Sequence, residues 1–362
     1  MFSRKSEECL HLFTSTIRPL YISDALDVLA SPVGSIVRFR YEEQWVPGVL
    51  REKWAKTDSL RDTEGLVHFA IQHPAEFHLP SYIPIRSVKV ASNFVEGKTY
   101  VINIQTSSIR LPANTRTVLD QDDHTSEWGE PITKYSDALR GALGLATRPR
   151  PAVIMGGQID DLMEPMGAGE ESQAADFERL VKLLTQALYF SPRIFYRIAR
   201  FAGQGSDAAP KLEEGRLTLT SGRRYTMSLS HYQYQPPLDG TELAISVPDG
   251  INLIGGSQVA LSSRYDVIPV ELYAGFRDDR TEGLIEIGVV PPALGPTVRI
   301  PVVIKPSQAA SVVAPLAGII AGVGAAAGSV LTASQSLKVG LIAGGTAIAG
   351  ASVMYRRNRR LQ

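Results

Sequence analysis

Apolar and polar residues alternate along several stretches of the first part of the chain. From Ile36 onwards, Arg38 and Arg40 fall on one face of a strand, and Phe39 and Tyr41 fall on the other. Further strands are predicted at residues 65–74, 83–94 and 98–111, followed by a short helix at 134–145. Residues 1–150 are therefore predicted to form a β-rich recognition domain, built as a small barrel or a strongly curved sheet.

The pattern becomes helical in the middle of the chain. Apolar residues recur every three or four positions between residues 174 and 202, with Pro192 dividing the run. Residues 151–210 are accordingly predicted to be a linker and an amphipathic helix. The basic, aromatic end of this run, RIFYRIARF, permits two interpretations: a surface that faces a membrane or partner, or a core helix with solvated arginines.

Residues 211–306 read as a series of short strands. Turn residues, mostly Gly, Pro and Asp, separate them at intervals of about ten residues, which is typical of a β-sandwich. In length and strand number this stretch resembles immunoglobulin-like sandwiches. It contains neither Cys nor Trp, so it lacks the Cys…Trp…Cys set of antibody domains.

Two charge-free apolar stretches dominate the C-terminal region, at residues 311–331 and 339–355. About 20 apolar helical residues span the hydrocarbon core of a bilayer. We therefore predict a transmembrane helical hairpin over residues 311–355. The alternative is a buried helical hairpin rich in Ala and Gly inside a soluble domain.

The flanks of these stretches predict their topology. Four arginines occur in the predicted cytosolic tail, residues 356–362: Arg356, Arg357, Arg359 and Arg360. The positive-inside rule then places both termini and the soluble part on the cytoplasmic side of the inner membrane. Glycines repeat at four-residue spacing, which allows close helix packing within one chain or in a homo-oligomer: Gly318 and Gly322, Gly324 and Gly328, Gly340 and Gly344.

Composition narrows the range of partners and compartments. The formal net charge is zero, with 37 basic and 37 acidic residues, which argues against a protein that binds duplex nucleic acid. The single cysteine, Cys9, excludes an intrachain disulfide and is consistent with a reducing compartment. The N-terminal residues lack an apolar core of signal-peptide length.

The candidate ligand-binding residues combine arginines with aromatic rings on the predicted sheet: Arg38, Arg40, Tyr41, Trp45 and Arg86. Such a combination can bind a phosphate and stack a base, which predicts a small anionic or nucleotide ligand. The alternative is a solvated strand face with a structural Trp. No catalytic motif is present, and the spacing of His68, His73 and His78 matches no metal site, so we predict neither an enzyme nor a cofactor.

The order of the predicted parts, mainly β with a helical connector (α+β) and a Gly-rich membrane hairpin, resembles bacterial two-transmembrane effectors of antiphage and stress-response systems. The resemblance covers the architecture and rests on no diagnostic motif. It implies a membrane-anchored sensor and effector, controlled by a regulatory protein or ligand, that damages the inner membrane when its hairpins associate. The alternative is a non-enzymatic, membrane-tethered binding or scaffold protein.

Overall fold

The computed structural model describes most of the chain ahead of residue 308. The described residues are 8–15, 19–71, 79–116, 129–145, 152–157, 159–167, 170–187, 194–204, 209–210, 212–233, 240–292 and 295–307.

The N-terminal unit is built on a mixed sheet of seven strands. Their bounds are β1 Cys9–Ser15, β2 Ile36–Glu42, β3 Glu64–Ile71, β4 Ser81–Glu96, β5 Thr99–Pro112, β6 Val153–Gly156 and β7 Met163–Pro165. The order across the sheet is β2-β5-β4-β3-β1-β6, with β7 paired to β5. The β1–β3 pair is parallel and the other pairs are antiparallel. The alternation predicted for β2 is confirmed, because Phe39 and Tyr41 are buried while Arg38 and Arg40 are exposed.

Four α-helices accompany the sheet in the described residues. They are α1 Pro19–Ala30, α2 Gly48–Trp54, α3 Gly129–Leu143 and α4 Glu170–Ala187. Single 3-10 turns cover Glu43–Trp45 and Asp160–Leu162. The buried residues of α4 include Phe177, Leu180 and Leu184, which pack into the core of the N-terminal unit.

This arrangement corrects one of the two forms predicted for residues 1–150, the small barrel; the other form, a strongly curved sheet, stays a prediction. The described sheet is open, because β2 and β6 lie at its opposite ends and do not pair. The pairing of β4 with β5 is irregular: register shifts occur between Arg86 and Val88 and between Val90 and Ser92 of β4. Such irregularities increase the local twist of a strand without closing the sheet.

Two sheets form the second unit. Its strands are β8 Ile194–Gly203, β9 Leu212–Glu213, β10 Arg216–Thr220, β11 Arg223–Gln233, β12 Glu242–Ser246, β13 Ile251–Ile254, β14 Gln258–Ala260, β15 Tyr265–Ala274, β16 Thr281–Val290 and β17 Thr297–Lys305. One sheet has the order β13-β15-β11-β8 and the other β14-β12-β16-β17-β10-β9. Their facing side chains form one apolar core.

The sandwich includes a strand that the sequence pattern assigned to a helix. Residues 194–203 form β8, which pairs antiparallel with β11, so the predicted continuation of the helix to residue 202 is wrong. All five residues from Ile194 to Ile198 are buried. Their sequence therefore shows neither the helical period of buried positions nor the alternation of a strand with one exposed face. The hydroxyl of Tyr196 donates to the carbonyl of Ile287 at 2.5 Å and accepts from the amide of Val298 at 3.1 Å, which joins the two sheets.

The N-terminal unit and the sandwich share buried side chains. Ala30, at the end of α1, belongs to the sandwich core, whereas Phe195 and Tyr232 of the sandwich belong to the N-terminal core. The turn after α1 also touches the sandwich, since a Cβ at Gly34, whose φ is +92°, would lie 3.0 Å from the Cβ of Leu212. The two units are therefore joined through the end of α1 and strand β8.

The predicted fold class is corrected in its C-terminal part as well. The described residues form a mostly β protein, and none of their helices is long and apolar enough to cross a membrane. The predicted hairpin, residues 311–355, lies outside the described residues, as do its six glycines and the arginines of the tail. The two-helix membrane hairpin is thus not supported as an element of this fold.

A buried amide fixes the loop between α2 and β3. Asn93, on β4, is fully buried; its Oδ1 accepts from the amide of Leu60 at 2.7 Å. Its Nδ2 donates to the carbonyls of Trp54 and Lys56 at 3.1 and 3.2 Å. One side chain therefore satisfies backbone groups that the loop itself leaves unpaired.

Replacing Asn93 by Ala should lower the free energy of unfolding by about 2–4 kcal/mol, because it leaves several buried backbone groups without partners. Urea unfolding followed by circular dichroism measures the change. The control is Asn252→Ala. Asn252 is an exposed residue of β13, so its substitution should change the stability by less than about 0.5 kcal/mol. Equal effects of the two substitutions would contradict the structural role of Asn93.

Candidate functional site

The structure separates the predicted ligand-binding residues. Arg38 and Arg40 share the exposed face of β2, where Arg38 donates to Asn103 at 3.3 Å and lies over the ring of Phe94. Tyr41 is on the opposite, buried face. Trp45 is half-buried at the end of a 3-10 turn, and its carbonyl accepts from the amide of Ala152.

Arg86 lies in another part of the sheet. It is opposite Ile109 of β5, whereas Arg38 is opposite Asn103 of the same strand. Six residues along a strand correspond to about 20 Å. The structure therefore does not bring Arg86 into a common site with Arg38 and Arg40.

The guanidinium of Arg86 is buried and bound by backbone carbonyls. The residue is 2% exposed. Its Nε donates to Ser107 at 2.6 Å, and its Nη1 donates to Val28 at 2.8 Å and to Ser31. Three of its five N–H groups are thus used, while within the described residues its Nη2 makes no hydrogen bond and no carboxylate pairs with it.

A second buried arginine comes from the sandwich. Arg197, on β8, is 5% exposed and lies over the ring of Phe177, with 5.5 Å from Cζ to the ring centroid. Its Nη1 donates to the sulfur of Met166 at 2.9 Å and its Nη2 donates to Oε1 of Gln173 at 3.0 Å. The buried Nε has no hydrogen-bond partner within the described residues.

Both arginines line one cavity at the junction of the two units, which we call the two-arginine pocket. Its volume is about 130 Å³. The lining comes from the end of α1 and the following turn, from β4, β5 and β8, and from α4 and the residues before it: Leu29, Ser31, Val33, Arg86, Ser108, Ile109, Met166, Gln173, Arg197, Ile198 and Ala199. Val33 is 60% exposed, so the pocket reaches the protein surface.

The electrostatics of this pocket favour an anion. Burial lowers the pKa of Arg86 to about 9, and the positive charge of Arg197 adds to the decrease. Burial also lowers the pKa of Arg197 to about 10, opposed by the nearby Tyr265 and Asp176. Both guanidinium groups consequently remain charged at neutral pH, and they repel each other across a largely apolar site.

A cluster of ion pairs positions the helix that contacts Arg197. Asp176, on α4, is fully buried and accepts from Nε and Nη2 of Arg116 at 2.9 and 2.7 Å. It also accepts from Arg179 and from the amide of Gly167. Burial alone would raise the pKa of Asp176, but these hydrogen bonds lower it, so its charge is already compensated.

A buried histidine pair forms a second polar cluster, on β1 and β3. Nδ1 of His11 lies 3.1 Å from Nε2 of His68, and Nδ1 of His68 lies 3.1 Å from the hydroxyl of Tyr135 on α3. Nε2 of His11 lies 3.2 Å from the carbonyl of Gly157. His73 and His78 lie outside the described residues.

The carbonyl of Gly157 fixes the direction of this chain. A carbonyl only accepts, so His11 Nε2 carries a proton and its Nδ1 accepts from Nε2 of His68. His68 Nδ1 then accepts from the hydroxyl of Tyr135. Burial lowers the pKa of both histidines, for His68 well below its usual value, so both are neutral at pH 7.

Two carboxylates of α1 lie close to the junction. Burial raises the pKa of Asp24 to about 6. Burial, together with the charge of Asp24, raises the pKa of Asp27 to about 7, although Arg299 of the sandwich opposes the shift. The Oδ1 atom of Asp27 is buried and has no hydrogen-bond partner within the described residues.

The sequence analysis missed Arg197, His11 and Tyr135 as buried polar residues. Arg197 lies in a run of apolar and aromatic residues that was interpreted as part of a helix, either facing a membrane or partner or packed in the core with solvated arginines. An uninterrupted run such as IFYRI, rich in aromatic and β-branched residues, is typical of a strand buried on both faces. That signal would have placed Arg197 inside the protein.

Comparisons with known proteins add no assignment to this geometry. The sequence matches no protein-family model and no curated protein sequence. Among solved structures, a chimeric titin Z1Z2-Z1Z2 tandem carrying a GRGDS peptide from fibronectin has 8% identity and a TM-score of 0.16, covering 77% of this chain and 94% of that chain. The VesB protease of Vibrio cholerae has 9% identity and a TM-score of 0.16, with coverage of 62% and 82%. Neither likeness supports an argument about fold or function.

Replacing Tyr135 by Phe should lower the free energy of unfolding at pH 7.5 by about 1–3 kcal/mol, because it leaves a buried nitrogen of His68 without a donor. Urea unfolding measures the change. Tyr273→Phe is the control, since the half-buried Tyr273 makes no hydrogen bond through its hydroxyl within the described residues. A loss no larger than that of the control would contradict the directed chain.

Replacing Asp27 by Asn should stabilise the protein more at pH 8 than at pH 5. A carboxyl whose pKa is about 7 in the folded chain and about 3.9 in the unfolded chain binds a proton on folding. Its contribution to stability is therefore lost as the pH rises through 7.

We expect the difference in unfolding free energy, variant minus wild type, to increase by about 2–3 kcal/mol from pH 5 to pH 8. Chemical denaturation at the two pH values measures it. Glu96→Gln, at an exposed position, provides the control and should give no such increase. A difference that is independent of pH would show that Asp27 does not titrate in this way.

Proposed function

We propose that this protein is a non-enzymatic binding protein whose ligand is a small anion, bound in the two-arginine pocket. The observation that carries the proposal is the pair of buried guanidinium groups, Arg86 and Arg197, that line one cavity without a carboxylate partner within the described residues. A buried charge is costly unless it is paired. An anion in the pocket supplies the missing pair.

The position of the pocket suggests what binding does. Arg86 belongs to the sheet of the N-terminal unit and Arg197 to the first strand of the sandwich. An anion between them replaces a repulsion by two attractions, and so it stabilises the junction of the two units. Binding of the anion should therefore increase the stability of the contact between the N-terminal unit and the sandwich.

The lining of the pocket supports binding rather than catalysis. Its polar members, besides the two arginines, are Ser31, Ser108 and Gln173. Ser31 already donates its hydroxyl proton to the carbonyl of Asp27 at 2.6 Å. Within the described residues no carboxylate, imidazole or thiol lines the pocket, so it holds no group that could act as a general base.

The membrane-acting effector stays a prediction of the sequence. It depends on residues 311–355, which lie outside the described residues, and none of the described features supports it. The alternative prediction is a membrane-tethered binding or scaffold protein. The described residues support the binding role in that prediction.

Small oxyanions should raise the melting temperature of the full chain in a saturable way. At ten times its dissociation constant a ligand adds about 1.4 kcal/mol, or roughly 2 °C for a protein of this size. Differential scanning fluorimetry with formate, acetate, sulfate and phosphate, at constant ionic strength in chloride, measures the shift.

Arg197→Gln should abolish the saturable shift, because it removes one guanidinium from the pocket. Arg200→Gln is the matched control: Arg200 lies on the same strand but is exposed and outside the pocket lining. The control should retain the shift. If none of the four anions stabilises the wild type beyond chloride, the proposed function is wrong.

A further inference from the structure

The size of the two-arginine pocket restricts its ligand. Its volume of about 130 Å³ is below the range of about 300–1,000 Å³ typical of pockets for drug-sized molecules. A cavity of about 150 Å³ holds benzene. A ligand that fills this pocket therefore has about six non-hydrogen atoms, which is far smaller than a nucleotide.

The number of unfilled donors restricts the anionic group. Arg86 uses three of its five N–H groups and leaves both N–H groups of Nη2 without acceptors among the described residues. Arg197 uses two, for a sulfur and an amide oxygen. A carboxylate accepts such donors in pairs along one edge and carries a single negative charge.

The remaining wall of the pocket is apolar. Apart from the two arginines, Ser31, Ser108 and Gln173, the lining consists of aliphatic side chains and a methionine: Leu29, Val33, Ile109, Met166, Ile198 and Ala199. A phosphate or sulfate would direct its remaining oxygens towards this wall, where they would lose their hydration without gaining donors. A short alkyl chain instead buries apolar area there.

From these observations we infer that the ligand is a short-chain aliphatic monocarboxylate, with its carboxylate on Arg86 and Arg197 and its alkyl chain against the apolar wall. This inference rests on the proposed function and specifies the chemical class of the ligand. Butyrate, which has about six non-hydrogen atoms, fits the volume and is the probe of choice.

Isothermal titration calorimetry on the full chain tests the inference with three probes. Butyrate should bind with one site per chain. Butyramide, which has the same shape without the charge, and inorganic phosphate, which has the charge without the alkyl chain, should each bind at least about tenfold more weakly. Formate should also bind more weakly than butyrate, because it buries no alkyl chain.

Variants of the two arginines locate the binding site. Arg197→Gln should weaken butyrate binding by at least about tenfold, and Arg200→Gln should leave it within about twofold. Arg86→Lys provides a second variant at the other guanidinium; it keeps a positive charge but loses the planar fork, and should weaken binding as well. Circular dichroism confirms that each variant is folded before it is titrated.

The outcomes separate the inference from the proposed function. If phosphate binds in the pocket more tightly than butyrate, the ligand class is wrong and the anion-binding function stands. If butyrate and butyramide bind equally, the charge is not recognised and both fall. Butyrate binding that Arg197→Gln leaves unchanged would place the ligand elsewhere and would overturn the inference.

Discussion

The fold depends on a positive charge inside the protein whose hydrogen-bond partners, among the described residues, are all backbone carbonyls. Arg86 satisfies the carbonyls of Val28 and Ser31 at the end of α1, and that of Ser107 on β5. The carbonyls of Val28 and Ser31 lie where α1 ends, and the last carbonyls of a helix lack intrahelical donors. The guanidinium therefore connects α1 to the sheet, although burying its charge is energetically unfavourable.

The end of α1 that Arg86 holds is also the place where the two units meet. Ala30 packs into the sandwich core, and Asp27 lies close enough to Arg299 of the sandwich for their charges to interact. Arg197 reaches the same junction from β8 and is held there by Gln173 and Met166. The junction thus combines a shared apolar core with two like charges, neither of which forms an ion pair with a carboxylate within the described residues. That combination makes it responsive to an anion.

Local pattern was sufficient to predict elements whose two faces differ. The alternation in β2 identified its buried and exposed residues, and a helix was predicted at 134–145, where the structure has α3 at Gly129–Leu143. Pattern failed where both faces of a strand are buried. For β8, the run IFYRI shows no alternation, and the preceding helical period in α4 was extended through it.

The candidate site was beyond the reach of local pattern for a different reason. Arg86 was among the candidate ligand-binding residues, but Arg197 was not; it was assigned to a helical surface facing a membrane or partner, or to solvent. Their meeting depends on the order of strands in two sheets and on the packing of α1 between them, and neither is encoded in the spacing of residues along the chain. The buried chain of His11, His68 and Tyr135 likewise unites three elements that are distant in sequence.

The most direct test of the account is NMR of the arginine Nε–Hε groups in the full chain, labelled with ¹⁵N, during a titration with butyrate. Resonances are assigned by their loss in Arg197→Lys and Arg200→Lys. If butyrate binds in the two-arginine pocket, the Arg197 resonance shifts saturably while that of Arg200 stays in place. An Arg197 resonance that does not move at high butyrate concentration would show that butyrate does not bind to the guanidinium groups of the junction.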